Sequence, residues 1–395
     1  MLKKLIFLLL CFMQIFIAFA YLPSNYLDES LYSRNSTLIT LLFGGVLGLT
    51  MIKHFFSKTK IKFHSLFRKL ITILLILCLE FFFLFALSLN MNTNDLLSLI
   101  MVVVAIYIGY VNDFSIKQIK LFILIIVLSS LYLGYEAINV YVGAFDLYAS
   151  DWQVMGKNQI GQLISFGVIL SYVFFIIETK KITKYLMLIL FFILFSFLII
   201  VKCKTAILAV FISVSIISFK SFNKETFKKY LLFGMPILIL FLVIYADELI
   251  LGVFELLGLE FGASVNELTT GRSSRNIEAL QYIKNNPFQG ELLRYSNILM
   301  IHNWILIRAV RYGVLLVLPM LIFYLMILFF GIREIYKTRL NNFFQIGCFL
   351  LIVPYISSFA EPGAPFSPGT MFCFIYVFLG IYLRNIQITN KQCKS

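Results

Sequence analysis

His302-Asn303 stands immediately ahead of a long apolar run, and Arg308 and Arg311 fall within the first turns of that run. A neutral histidine at a water boundary can take a proton from a hydroxyl near pH 7. Arginine suits phosphate, because its planar fork makes paired contacts. Upstream, Thr269-Thr270-Gly271 leads into Arg272-Ser273-Ser274-Arg275, followed by Ile277, Leu280 and Ile283 at helical spacing. The pattern predicts a turn, a capped start and an amphipathic helix ending before Asn285-Asn286-Pro287. Arg272 and Arg275 would then share one face of its first turn, where free N–H groups also favour an anion. Such a set could hold a phosphate leaving group and accept one proton. Each member also has a plainer reading. A lone boundary histidine often serves only as a polar cap, and the cations could pair with Asp247, Glu248, Glu255, Glu260, Glu267, Glu278 and Glu291 nearby in sequence.

These residues must be positioned by helices in a bilayer. Apolar residues make up 61% of the chain and charged residues 13%, against roughly 45–50% and 25% in soluble domains. The apolar residues come in blocks about 20 long, enough to cross a hydrocarbon core of roughly 30 Å. The fold class expected is all-α: a polytopic membrane protein of about 12 transmembrane helices. Spans are predicted near 4–22, 36–56, 70–89, 96–111, 119–142, 159–177, 184–201, 205–219, 229–246, 304–330, 342–360 and 369–384. Residues 1–246 would hold helices 1–9, residues 247–303 one large outer loop, and residues 304–395 helices 10–12 with a cytoplasmic tail. Lys3-Lys4 and the run to Ala20 could be a signal peptide ending at Ala18-Phe19-Ala20, although its length favours an uncleaved first helix. Either way the chain emerges outside.

Charge tests this count. With Lys3 and Lys4 inside, the alternate segments around 53–69, 117–120, 180–184, 220–229, 333–339 and 384–394 carry most of the rest. Together they account for 23 of the 33 basic residues, as the positive-inside rule requires, and place both termini in the cytoplasm. Apart from Arg34, the exceptions are Lys157, Lys202, Lys204, Arg272, Arg275, Lys284, Arg294, Arg308 and Arg311, all at outer helix ends or in the outer loop. Basic residues are depleted there unless something retains them, and a polyanion at the outer leaflet would. Arginines entering a span mark a lined cavity more often than lipid contact. The net charge of +14 would suggest nucleic acid in a soluble protein. Here the topology accounts for it, and no nucleic-acid partner is expected.

Other residues are less telling. Glu80 and Glu136 lie within spans, where acids are functional candidates but also pair with buried bases. Asp151, Gly156, Lys157, Asn158 and Gly161 form a polar mouth to the sixth span. The six cysteines are scattered and show neither metal spacing nor a disulfide framework. His54 and His64 lie in a basic inner loop, so His302 has no histidine partner for a metal. No Asp-x-Asp motif, phosphate loop or dinucleotide fingerprint occurs, which argues against a soluble nucleotide substrate or an ATP-driven pump.

Gly271-Arg272, then Ile277 to Ile283, Asn286-Pro287-Phe288-x-Gly290, His302-Asn303 and Gly313 together resemble the shared core of bacterial O-antigen polymerases and O-antigen ligases. Lys157-Asn158-Gln159-Ile160-Gly161 and Cys203-Lys204-Thr205-Ala206 fit as upstream pieces. The motif core covers about 45 residues, while the span count and the place of the large loop match over the whole chain. The resemblance implies a large membrane-type glycosyltransferase that needs no metal and no cofactor. Its donor would be a glycan on undecaprenyl pyrophosphate at the outer leaflet, and its acceptor a glycan or a lipid-linked sugar. Arg272 and Arg275 would bind pyrophosphate, and His302 would be the base for the acceptor hydroxyl. Lys204, Lys157 and Asn303 fall in motif positions that would line the substrate, and Arg308 and Arg311 join them by position. Lys204 stands where the family more often has arginine, which removes a bidentate contact, and Gly290 is followed by Glu291. Polymerase and ligase differ only in acceptor, which these residues do not read. A flippase for lipid-linked glycan would also suit a dozen spans with outer cations, but paired halves with broken helices are not evident.

Overall fold

The computed structural model describes residues 2–22, 29–57, 61–87, 89, 92–142, 157–201, 203–221, 272–288, 290–291, 301–359, 361, 363–366 and 372–392. The ninth predicted span and most of the large outer loop lie outside the described residues. Every regular element among those described is helical. In chain order they are α1 (Leu2–Ala20), α2 (Glu29–Phe55), α3 (Ser65–Ala86), α4 (Thr93–Val111), α5 (Ile116–Val142), α6 (Lys157–Ile177), α7 (Lys181–Ile200) and α8 (Lys204–Ser221). After these come α9 (Arg272–Asn285), α10 (Trp304–Lys337), α11 (Ile346–Leu350), α12 (Ile352–Ser357) and α13 (Cys373–Gln392).

Nine of these helices are long and apolar enough to cross a membrane, and they coincide with predicted spans one to eight and ten. The chain is a multi-pass membrane protein. The range of the eleventh predicted span holds shorter pieces, a 3-10 turn at Phe343–Gln345 followed by α11 and α12, and α13 overlaps the range of the twelfth. Burial sorts the long helices. In α6, 78% of the apolar window is enclosed by protein, against 22% in α2, α3 and α7. The enclosed helix packs against α5, α7 and α8, and α13 lies along α4. Outward faces carry bare aromatic rings such as Phe82, Phe83, Phe85 and Phe211, which only a hydrocarbon solvent tolerates in such density.

Residues that charge assigns to one side meet at one end of the bundle. Lys53 donates to Asn112 Oδ1 at 2.9 Å, Tyr110 to the Lys62 carbonyl, and Lys220 to the Tyr336 carbonyl. Lys120 reaches Glu178 at 2.6 Å. The other end holds the contacts of Asp95, Asn158, Cys203 and Trp304. The two ends are called inner and outer below after the sides that the charge pattern predicts.

One helix is longer than a single crossing needs. Helix α10 has 34 residues, about 51 Å if straight, against a core of about 30 Å. It is broken at Gly313, whose φ of 75° and ψ of 166° are not helical, whereas Pro319 sits within the continuing helix. Residues 304–312 form a short piece ahead of the break, and residues 314–337, about 36 Å long, are by themselves long enough to cross. Arg308 and Arg311 lie on the short piece, within the predicted span. Leu315, which unbroken helical spacing would put on their face, lies beyond the break and is exposed.

Candidate functional site at the outer end of the bundle

The site begins with the N-terminus of α4. Asn92 caps it, its side-chain oxygen accepting from the Asn94 N–H at 3.1 Å, and Asp95 falls in the first turn, where a carboxylate complements the helix dipole. The short outer piece of α10 faces it. Asn303 caps that piece, Oδ1 accepting from Ile305 N–H at 3.0 Å and Leu306 N–H at 3.1 Å. Capping therefore occupies the Asn303 carbonyl that the sequence offered to substrate. Trp304 follows, its ring stacked on Tyr324 with Phe366 edge-on, and its backbone N–H donates to the Ser358 carbonyl.

Positions 308, 311 and 312 are three and four apart on one helical face, and all three side chains converge on Asp95. Arg308 Nη2 lies 2.7 Å from Asp95 Oδ1, and Arg311 Nη1 lies 2.6 Å from Oδ2. Tyr312 donates to Oδ2 at 2.9 Å. Arg308 also donates to the Trp304 carbonyl at 3.1 Å and spreads over the Trp304 ring at 4.3 Å. Its side chain is 4% exposed, whereas Arg311 keeps 19%. Among the described residues two guanidiniums share one carboxylate, so the described cluster holds one excess positive charge at the outer rim. Arg308 is committed to the protein, and Arg311 is the member with a side open to a ligand.

The partner of these arginines is an acid the sequence reading did not single out. Asp95 lies 213 positions from Arg308, while the acids weighed as partners were near in sequence. Residues 247–267 lie outside the described residues, and Glu278 is exposed. One signal could have found Asp95: a carboxylate in the first outer turn of a span, on the side where arginines accumulate.

The Gly313 break is filled from outside. The turn after α9 lays its backbone into it: Val314 N–H donates to the Pro287 carbonyl at 2.7 Å, and Glu291 N–H to those of Val310 and Arg311 at 3.0 and 3.1 Å. The groups freed by the break thereby keep partners. Gly290, at φ 52°, sits so close that a Cβ there would come 2.5 Å from Gly313 N and 2.6 Å from the Val310 carbonyl oxygen. Tyr282 secures the turn by donating to the Gly290 carbonyl at 3.2 Å. Glu291 after Gly290 is thus accommodated through its backbone.

Helix α9 spans the predicted range but packs by a different face. Ala279 is fully buried with Ile301 and Val310, and Tyr282, Ile283, Leu306 and Ile307 surround them. Ile277 and Leu280 point outward and are more than half exposed. Small Ala279 lets the two helices approach, which apolar periodicity does not register. Arg272 opens α9 and Arg275 lies one turn along, half-buried. His302 is half-buried and immediately precedes the Asn303 cap.

The upstream pieces also meet. Lys157 and Lys204 are the first residues of α6 and α8. Between them, Cys203 Sγ lies 3.7 Å from Asn158 Oδ1, and a Cβ on Gly161 would come 2.4 Å from Cys203 Cβ. Helix α12 packs on α8, and Ser358 just beyond it binds Trp304, so one short helix ties the two groups together. Among the described residues, neither Glu80 nor Glu136 has an ion-pair partner. None of the described His, Cys, Asp and Glu side chains gather in threes suited to a metal. No protein-family model matches the chain, and no curated protein is similar to it at a significant level.

Proposed function

We propose that this chain is a glycosyltransferase of the bacterial cytoplasmic membrane that joins undecaprenyl-pyrophosphate-linked repeat units of O-antigen, capsule or a related surface polysaccharide at the outer leaflet. Both termini would be cytoplasmic. The observation that carries this reading is the meeting of Gly290 with Gly313, which brings together the turn, the helix led by Arg272 and the arginine-bearing piece of α10. These are the separate pieces on which the resemblance rests. A structural scaffold has no need of an outer rim with a surplus guanidinium.

In the proposed reaction an acceptor sugar hydroxyl attacks the anomeric carbon of the donor. The bond from that carbon to the pyrophosphate oxygen breaks, and its electron pair leaves on the pyrophosphate. Arg272, Arg275 and Arg311 meet the growing negative charge where water is scarce. His302 takes the hydroxyl proton. Lys157 and Lys204 add positive potential from the α6 and α8 ends of the rim.

The test is surface-glycan length, read as a gel ladder, in a deletion strain complemented with wild type, His302→Ala or Arg272→Ala. Single repeats on the normal acceptor in the deletion support a polymerase. Loss of all attached glycan, with long polymer left on the lipid carrier, would make the enzyme a ligase. Normal ladders from both variants at normal protein levels would overturn the site.

A further inference from the structure

The opposite end of the bundle contains a second arrangement that the proposed reaction does not use. Helices α4 and α13 cross with their backbones in contact. A Cβ on Gly109 would lie 2.0 Å from the Val377 carbonyl oxygen, and one on Gly380 would lie 2.2 Å from that of Ile106. Gly347 seats α11 on α13 in the same way, 2.2 Å from the Phe378 carbonyl oxygen. Such contacts make a rigid crossing. Past it the helices diverge, and a cavity of about 60 Å³ opens between Asn112, Asp113, Phe344, Arg384, Asn385 and Ile388. One water needs only about 10–15 Å³ measured this way, so the wedge admits a larger polar group.

One wall is cationic. The Arg384 guanidinium lies 5.7 Å from the Tyr110 ring centre, and its Nε is buried with no hydrogen-bond partner among the described residues. A buried N–H left unmatched is costly, so an acceptor in the wedge would be strongly favoured. Lys53 stands behind the Asn112 wall, fixed by Asn112 Oδ1 at 2.9 Å and the Val111 carbonyl at 3.4 Å. Lys3, Asp113 and Arg384 all act on it electrostatically. Asn112 is a fixed wall, its amide committed to Thr50 and the Ile108 carbonyl. Among the described lining residues the one acid is Asp113, which is exposed, so water weakens its charge.

We propose that this wedge binds a phosphate group, supplied by the headgroup of an anionic phospholipid in the adjacent leaflet. Basic pockets between helices on the side rich in lysine and arginine suit such headgroups. The site is independent of the glycosyltransferase reading and stands or falls without it.

The experiment is native mass spectrometry of the full chain in detergent, titrated separately with phosphatidylglycerol, phosphatidylcholine and inorganic phosphate. Wild type should retain phosphatidylglycerol at least about fivefold better than phosphatidylcholine, and Arg384→Gln should lower that affinity about fivefold, the effect of one basic residue at a charged surface. Arg384→Lys should keep most of it, and Lys53→Gln, on a different helix, should weaken it as well. Equal retention of the two lipids would overturn the site, as would wild-type affinity in both Arg384→Gln and Lys53→Gln. Displacement of the lipid by millimolar inorganic phosphate would keep the phosphate chemistry and overturn the lipid source.

Discussion

Two buried carboxylates, one at each end of the bundle, are paired in opposite ways. At the outer end Asp95 is shared by Arg308 and Arg311, with Tyr312 as a third donor. At the inner end Glu178 is matched one to one with Lys120 at 2.6 Å. Backbone N–H groups of Thr179 and Lys180 complete its shell. Burial alone would push the Glu178 carboxyl up, but the Lys120 hydrogen bond and those N–H groups outweigh it and hold the group below the usual carboxylate range. Lys120 is also a third exposed, so water shares its charge. The inner pair is closed and neutral, and the outer cluster carries a surplus cation. A closed pair stabilises the fold; a surplus at a rim is suited to meeting an anion.

The contrast predicts graded effects. Asp95→Ala should be the most damaging change, because it strands two guanidiniums that are mostly buried; removing one partner of a buried pair costs about 3–5 kcal/mol. Thermal unfolding in detergent would show it, with Asp95→Asn falling between the variant and wild type. A shift no larger than that of Glu178→Gln would erase the distinction between the ends. Next comes Gly313→Ala. Its backbone occupies a region that is almost exclusive to glycine, which costs about 1–3 kcal/mol for any other residue, and the turn against it must also shift. Limited proteolysis at residues 286–291 should quicken in step with the stability loss, whereas cleavage unchanged from wild type would mean that the break does not hold the turn. The smallest effect is Glu178→Gln, about 1 kcal/mol because Lys120 is partly solvated. Its sign with pH is fixed: the folded carboxyl titrates below its unfolded value, so the contribution is present above the ordinary carboxylate range and is lost as pH falls through the folded value. Unfolding midpoints of wild type and Glu178→Gln should therefore converge in acid, and a gap that widened in acid would contradict the assignment.

What the sequence made legible follows from range. Apolar blocks are a local signal, so spans one to eight and ten appear where helices stand. The same locality made the α10 break invisible, since Gly313 interrupts neither hydropathy nor composition and Pro319 nearby is the more familiar breaker. The turn at 286–291 could be named from Pro287 and Gly290, but not its seat, which is set by hydrogen bonds to residues 310–314. Asp95 escaped for the same reason: nothing local joins it to residues 308–312. In α9 the helix was readable and its buried face was not, because a fully enclosed alanine packs better there than the larger Ile277 and Leu280.

The central claim is that the outer surplus cation serves the reaction while the inner pair serves only the fold. The most direct measurement is the surface-glycan ladder of a deletion strain carrying Arg311→Gln or Glu178→Gln, compared at equal protein level. Arg308 and Tyr312 still hold Asp95 when Arg311 is lost, so both variants should remain folded. Collapse of long chains with Arg311→Gln, beside a normal ladder with Glu178→Gln, is the result expected. A normal ladder with Arg311→Gln, or an equal collapse with both, would contradict the account.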